Sequence, residues 1–267
     1  MTGLVESRRL SLWQGKIATQ VDVRGAGPAL IYLHGPWGLR ADASFLELLS
    51  QRFTVYAPWH PGTTPGNPDA VHEIDDWLDL VTYYGELFDA LGLTAPLVVG
   101  HSFGGLVAAE IAAVTPQRVG QLALISPVGL WRDDLPVRNW MTLPEEIRAR
   151  TLFAEPEGRA AREFFALPEE RDARAEALAS FIWAQACTGK FVWPIPDKGL
   201  KKRIHRIAAP TSIIWGADDG VVAPDYAREF ATRIARARVA LLDGAGHLPH
   251  LECPEVVAAI VRLAADL

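Results

Sequence analysis

The sequence predicts an α/β fold: a mostly parallel central sheet covered by helices on both faces, with an inserted helical cap. Short apolar runs typical of buried strands alternate with helical patterns along the chain. The alternation stops over residues 127–203, which favours a cap there and a core domain formed by residues 1–126 and 204–267. With 267 residues, 49% of them hydrophobic, the chain can bury such a core without disulfides.

The elements of the core follow one another in a regular order. Alternating apolar residues on either side of Gln14 and Gly15 predict an N-terminal hairpin. Buried strands are predicted at 29–33, 53–57, 97–99, 119–125, 211–215 and 239–242, and helices at 45–49, at 74–91, after residue 103 and from Pro254 onward. In that last helix, one apolar stripe is predicted from Val256, Ile260, Leu263 and Leu267.

The cap is predicted to be helical and rich in aromatic residues. Helical stretches are indicated at 144–153, 158–167 and 169–187. The aromatic side chains of this region include Trp131, Trp140, Phe164, Phe165, Phe181, Trp183, Phe191 and Trp193. Each of them either belongs to the cap's own core or lines a site beneath the cap.

The stretch LVVGHSFGGLVAA, residues 97–109, carries the clearest functional signal. A buried strand enters a turn in which Ser102 lies between Gly100 and Gly104, and an alanine-rich helix follows. This strand–turn–helix context is typical of a nucleophile elbow, in which flanking glycines relieve the crowding around a strained serine. The alternative is an ordinary glycine-rich loop with a capping serine.

Reactive residues follow four of the predicted strands: His34, Ser102, Asp219 and His247. Because functional groups gather at the carboxyl ends of parallel strands, we expect these residues to lie close together. A serine hydroxyl needs a neighbouring base to act as a nucleophile, and a histidine can be that base. The last three residues occur in the order Ser, Asp, His.

With the elbow GHSFGG, the loop LHGPWG, and the segments IIWGADDGVVAP and GAGHLPHLECPE, the sequence resembles the α/β-hydrolase superfamily over almost its full length. The closest resemblance is to its capped bacterial serine hydrolases and esterases. It implies that Ser102 is the nucleophile, His247 the base and Asp219, in preference to Asp218, the orienting acid. Some members carry the acid after the strand that precedes the cap, but no carboxylate occurs there before Asp133.

Other histidines compete for the role of base, namely His34, His60, His101 and His250. The elbow geometry points His101 away from the tip of the turn, and His34 usually supports its loop in this superfamily. His247 and His250 have an H-x-x-H spacing, but Pro249 between them and the lack of a nearby third ligand disfavour a metal. The sequence implies no metal and no cofactor.

Acyl transfer also requires an oxyanion hole. The backbone N–H of Phe103 is expected to be one donor. The resemblance places the second donor at residue 36, but Pro36 has no N–H. Trp37 N–H is the expected substitute, and a rotated loop or a single-donor hole are the alternatives.

We interpret the chain as a serine hydrolase that cleaves a small or medium, apolar carboxylic ester, lactone or thioester through an acyl-enzyme. The residues expected to line the substrate site are Trp37, Phe103, Trp131, Trp140 and Trp183. A serine at 102 disfavours the branches of the superfamily that use an aspartate nucleophile. The alternatives are a ligand-binding homologue with slow or no turnover, and a C–C bond hydrolase, lyase or perhydrolase.

The composition narrows partners and location. The net charge of -6 argues against a nucleic-acid partner. The N-terminus lacks the apolar region of a signal peptide, and the only two cysteines, Cys187 and Cys253, are far apart, so a reducing, cytoplasmic location without membrane association is expected. A homodimer is compatible with the sequence, which leaves the oligomeric state open.

Overall fold

An eight-stranded sheet forms the centre of the computed structural model, which describes residues 5–194 and 197–265. The strands are β1 (Glu6–Leu12), β2 (Ile17–Arg24), β3 (Ala29–Leu33), β4 (Thr54–Pro58), β5 (Leu97–His101), β6 (Gln121–Ile125), β7 (Thr211–Gly216) and β8 (Ala237–Leu242). Their order across the sheet is β1-β2-β4-β3-β5-β6-β7-β8. The pairs β1–β2 and β2–β4 are antiparallel and the others are parallel, which confirms the predicted hairpin and the mostly parallel sheet.

Helices cover both faces of the sheet, as predicted. They are α1 (Ala43–Ser50), α2 (Trp77–Ala90), α3 (Phe103–Val114), α4 (Glu145–Leu152), α5 (Arg159–Phe165), α6 (Arg171–Val192), α7 (Leu200–Arg203), α8 (Asp225–Ala231), α9 (Pro249–Glu252) and α10 (Pro254–Ala264). One apolar cluster joins the sheet to α2, α3 and α8, and a second joins its other face to α1 and α10. In the described part of the chain, none of these helices combines the length and the apolar character needed to cross a bilayer.

The helical insertion predicted between β6 and β7 is confirmed, and it contains α4, α5 and α6. The second half of α6 is attached to loops of the core. Trp183 Nε1–H donates to the Gly62 carbonyl at 2.8 Å, and Lys190 Nζ donates to the Val71 carbonyl at 2.9 Å. These bonds place the insertion above the loop that follows β4. The exact division at residues 126/127 and 203/204 stays a prediction.

The apolar stripe predicted for the last helix is divided: Ile260 packs, partly buried, against the second apolar cluster, whereas Val256 and Leu263 face solvent. Val256 is 49% exposed and Leu263 68% exposed, while Leu267 lies outside the described residues. The face that α10 buries consists of Val257, Ala258, Val261 and Ala264. This helix has two overlapping apolar series, and the series with alanines faces inward because small side chains allow closer packing.

Candidate active site

The parallel arrangement of β3, β5, β7 and β8 brings their carboxyl ends to one edge of the sheet. Ser102 follows β5 directly, Asp219 lies in the turn after β7, and His247 lies in the loop after β8. Three residues that span 145 positions of the sequence therefore meet at this edge of the sheet.

The turn that carries Ser102 has the geometry of an elbow. Ser102 has φ 51° and ψ −110°, a strained conformation for a residue with a side chain. A Cβ at Gly100 would lie 2.3 Å from the Gly104 carbonyl oxygen, and a Cβ at Gly104 would lie 2.0 Å from the Leu33 carbonyl oxygen. Only glycine fits at these two positions, so the sequence spacing has a direct steric cause.

The three predicted side chains form a continuous hydrogen-bonded chain. His247 Nε2 lies 2.9 Å from Ser102 Oγ, and His247 Nδ1 lies 2.8 Å from Asp219 Oδ2. Ser102 and His247 are fully buried and Asp219 is 6% exposed. An ionised Asp219 can only accept, so His247 Nδ1 carries the proton and leaves Nε2 free to accept the serine proton.

The orientation of Asp219 is fixed independently of the histidine. Its second oxygen, Oδ1, accepts hydrogen bonds from the backbone N–H groups of Val221 and Val222, both at 2.9 Å. Asp218, the competing acid, has an exposed side chain, and its backbone N–H donates to Ala245. The geometry therefore brings Asp219, and not Asp218, to the imidazole.

The competing histidines have other partners. His60 Nε2 donates to the His34 carbonyl at 2.8 Å, and His34 Nδ1 lies 2.7 Å from the Gly35 carbonyl. Burial lowers the pKa of His34 and lowers that of His60 well below its usual value, so both are neutral groups that support the loop after β3. His250 Nε2 bonds to Asp42 at 3.0 Å, away from the imidazole of His247.

The two backbone N–H groups predicted as oxyanion donors are free of partners within the described structure. Phe103 is the first residue of α3, and the first N–H groups of a helix have no partner within the helix. Neither Phe103 N–H nor Trp37 N–H donates a hydrogen bond to any residue that the structure describes. The N-terminus of α3 also favours negative charge at this point. The assignment of these two groups to an oxyanion hole stays a prediction.

Aromatic rings surround the predicted site. Trp37 packs edge-on against the His247 imidazole with ring centroids 5.8 Å apart, and Phe164 of α5 lies 5.8 Å from the Trp37 ring. Phe103 contacts Trp77 at 6.2 Å and Phe191 at 6.4 Å. Trp37 thus packs against Phe164 of the cap, and Phe103 packs against Phe191 of the cap, as two separate aromatic contacts between core and insertion.

The three cap tryptophans predicted to line the site have other close partners. Trp131 donates its indole N–H to Asp133, Trp183 donates to Gly62, and Trp140 is only 2% exposed within the larger apolar cluster. None of their rings contacts Trp37, Phe103 or His247 in the described structure. Their role in substrate binding stays a prediction.

Several neighbours of the site were not predicted from the sequence. Phe164 and Phe191 belong to the aromatic set of the cap, but nothing in the sequence separates them from its other members. Trp77 is the first residue of α2, and the helical pattern at 74–91 does not indicate which of its residues approach the site. The sequence also does not indicate that the cap holds the loop of His247, whose N–H donates to the Leu152 carbonyl at 2.8 Å.

The chain was compared with known proteins. Residues 30–260 match the model of the Alpha/beta hydrolase family. A pimeloyl-[acyl-carrier protein] methyl ester esterase of Aromatoleum aromaticum is 29% identical over 254 residues, which cover 88% of this chain and 97% of that protein.

Solved structures share the fold at lower sequence identity. A bacterial membrane phospholipase A superposes with a TM-score of 0.78 at 19% identity, over 98% of this chain and 86% of that one. Naproxen esterase from Bacillus subtilis superposes with a TM-score of 0.73 at 17% identity, over 98% and 91%. At these identities the likeness establishes the architecture alone.

Proposed function

Because the chain belongs to the alpha/beta hydrolase family, we propose that it hydrolyses carboxylic esters through Ser102, His247 and Asp219. The observation that carries the proposal is the buried chain of hydrogen bonds from Ser102 Oγ through the imidazole to Asp219 Oδ2, at 2.9 and 2.8 Å. The methyl ester esterase relative supports ester substrates for this chain.

The proposed reaction has two halves. Ser102 Oγ attacks the ester carbonyl while His247 Nε2 takes the hydroxyl proton of Ser102. The tetrahedral oxyanion accepts hydrogen bonds from the backbone N–H groups of Phe103 and Trp37. Collapse of this intermediate breaks the ester C–O bond, and the imidazolium returns its proton to the leaving alcohol. Water then attacks the acyl-enzyme with His247 as base, which releases the acid and restores Ser102. Asp219 stabilises the imidazolium in both halves.

The surroundings of the serine support an apolar substrate of small or medium size. Rings of Trp37, Phe103, Phe164 and Phe191 offer apolar area and no charge. Ser102 and His247 are fully buried. Substrate entry therefore requires movement of the insertion or of these rings.

A panel of p-nitrophenyl esters from acetate to dodecanoate tests the proposal. We expect turnover that is highest for acyl chains of two to six carbons, and stoichiometric labelling by a fluorophosphonate that peptide mapping locates on Ser102. Absence of both turnover and labelling contradicts the proposed function. Lactones and acyl thioesters in the same panel show whether the protein prefers an ester, a lactone or a thioester.

One observation favours a second candidate, a ligand-binding homologue with slow turnover. Pro36 occupies the position from which the second oxyanion donor usually comes, and it has no N–H. Loss of one donor costs about 3–4 kcal/mol of transition-state stabilisation, which would leave a weak esterase. Stoichiometric labelling of Ser102 without turnover of any ester supports this second candidate.

Phe164→Ala is expected to change substrate binding and not the chemistry. The substitution removes the cap ring that packs on Trp37, so we expect KM for p-nitrophenyl butyrate to rise roughly tenfold, equivalent to about 1.4 kcal/mol of lost apolar contact. We expect kcat to stay within about twofold of the wild-type value, because no atom of the triad loses a partner. Steady-state kinetics over the ester panel measures both constants.

Phe165→Ala is the matched control for this prediction. Phe165 is the neighbouring residue, equally half-buried, and its ring contacts Phe153 and Phe164 but not Trp37. We expect it to lower thermal stability to a similar extent while KM is unchanged. Equal KM changes in the two variants would mean that the aromatic group of α5 acts through cap stability alone.

A further inference from the structure

We propose that His101 is a positioning residue for the base, holding the backbone of His247 with the support of a buried Asp42–His250 pair. The inference rests on the proposed function, in which His247 moves the proton of Ser102. It concerns the residues that hold the main chain of His247, among which His101 also stacks on Trp37 with ring centroids 6.0 Å apart.

The backbone of His247 is held by hydrogen bonds from two different parts of the chain. Its N–H donates to Leu152 in the cap at 2.8 Å, and its carbonyl accepts from His101 Nε2 at 3.0 Å. His101 is the residue that immediately precedes Ser102, so one dipeptide contacts the base at two points. Ser102 Oγ contacts the imidazole of His247, and His101 Nε2 contacts the main-chain carbonyl of His247.

The protonation state of His101 follows from its surroundings. A backbone carbonyl only accepts, so His101 Nε2 carries the proton and Nδ1 does not. The side chain is 1% exposed, and burial together with the neighbouring imidazoles of His250 and His247 lowers its pKa well below the usual value. His101 is therefore a neutral donor of fixed orientation and does not compete with His247 for protons.

A second acid–histidine pair lies behind this ring. His250 Nε2 bonds to Asp42 Oδ1 at 3.0 Å, and Tyr32 donates its hydroxyl to Asp42 Oδ2 at 2.9 Å. All of these side chains are buried. The pair is thus held at both carboxylate oxygens, which fixes the position of the His250 imidazole.

The His250 ring transmits this fixed position to His101. The ring centroids of His101 and His250 are 4.3 Å apart. Phe45 also packs against His250, with ring centroids 5.4 Å apart. His250 Nδ1 is buried and has no hydrogen-bond partner among the described residues. Its ring therefore acts on His101 through packing, and within the described structure Asp42 is the one hydrogen-bond partner of its side chain.

The functional consequence concerns the loop that carries the base. The loop must keep Nε2 of His247 about 3 Å from Ser102 Oγ while protons move, and small misplacements of a catalytic group are costly. Without the His101 hydrogen bond, the His247 carbonyl loses a buried partner and the loop can shift. The chemical step should then slow more than substrate binding weakens.

The pair of variants His101→Leu and His101→Gln tests the proposal. A glutamine amide N–H reaches the place of the imidazole Nε2–H, whereas leucine fills the space without a donor. We expect His101→Leu to lower kcat roughly 10- to 100-fold with KM within about threefold, and His101→Gln to recover kcat to within about fivefold of wild type. Equal kcat values in the two variants, or a loss of less than about twofold in His101→Leu, overturn the proposal.

Tyr83→Phe is the matched control for loss of a buried hydrogen bond. The Tyr83 hydroxyl lies 2.7 Å from Thr19 Oγ1, so this bond joins α2 to β2 and involves no residue of the triad. The Tyr83 side chain is fully buried. We expect a comparable decrease in melting temperature with kcat unchanged. If kcat falls with melting temperature in the same way in Tyr83→Phe and His101→Leu, the role of His101 is only structural.

A spectroscopic measurement keeps the inference separate from the proposed function. The proton on His247 Nδ1, in its hydrogen bond to Asp219, can be followed by NMR without any substrate. We expect its resonance to shift or broaden in His101→Leu and to return in His101→Gln. Wild-type protein that hydrolyses no ester contradicts the proposed function, whereas an unchanged resonance in His101→Leu contradicts the positioning role.

A double-variant cycle tests the contribution of the Asp42–His250 pair. His250→Leu alone is expected to lower kcat by a smaller factor, roughly three- to fivefold, and to have no further effect in the His101→Leu background. This non-additivity is expected because the His250 ring packs on His101 and, among the described ring contacts, not on His247. Equal losses in both backgrounds, or no loss in His250→Leu alone, overturn this part of the proposal.

Discussion

Ser102→Ala is expected to lower kcat for p-nitrophenyl butyrate by at least about 10⁴-fold, to the residual rate that substrate binding and backbone donors alone can support. Alanine lacks the oxygen that lies 2.9 Å from His247 Nε2, so no acyl-enzyme can form. The Cβ atom remains, so the elbow keeps its packing and the variant is expected to fold. Steady-state hydrolysis and fluorophosphonate labelling measure the loss, and a circular dichroism melt verifies the fold.

Ser126→Ala is a closely matched control for this prediction. Ser126 follows the neighbouring strand β6, is fully buried and has φ 42°, but its hydroxyl has no hydrogen-bond partner among the described residues. We expect its activity to stay within about threefold of wild type, because surplus hydroxyl groups contribute little to the reaction. If Ser102→Ala retains a tenth of the wild-type rate, Ser102 is not the nucleophile.

The architecture and the triad could be predicted because their signals are local. A buried β-branched run identifies a strand wherever it occurs, and parallel strands carry their following loops to one edge. The glycines on either side of Ser102 mark a steric requirement, which the 2.0–2.3 Å approaches at Gly100 and Gly104 explain. Asp219 and His247 were predicted because each follows such a strand.

The rotation of helices about their axes could not be predicted in the same way. In α10 the stripe containing Val256 and Leu263 is as apolar as the buried face containing Val257 and Val261. The choice between them depends on the shape of the surface beneath, which the sequence of the helix does not contain. The same difficulty applies to the cap, where Phe164 contacts Trp37 while Phe165 does not.

The contacts around His250 are beyond sequence reasoning for another reason. Asp42 and His250 are separated by more than two hundred residues, and neither lies in a motif that indicates the other. Their pairing follows from the packing of α1 against α9. Hydrogen bonds between such distant residues are visible only once the chain has been folded.

Asp219→Asn is expected to lower kcat about 10³- to 10⁴-fold while the fold is preserved. The backbone N–H groups of Val221 and Val222 donate to one oxygen of Asp219, and in the variant they retain the amide oxygen at that place. The amide NH₂ then faces His247 Nδ1, where Asp219 Oδ2 accepts at 2.8 Å in the native protein. A donor at this point favours the tautomer with the proton on Nε2, which cannot accept the proton of Ser102.

The control for this prediction is Asp218→Asn, the adjacent carboxylate with an exposed side chain. We expect less than a threefold change in kcat, because solvent screens the exposed carboxylate of Asp218. Fluorophosphonate labelling together with a thermal melt separates a tautomer effect from unfolding. We expect Asp219→Asn to be labelled slowly but to unfold at nearly the wild-type temperature. Comparable losses in the two variants would show that negative charge in the turn after β7, and not the orientation of one imidazole, controls the rate.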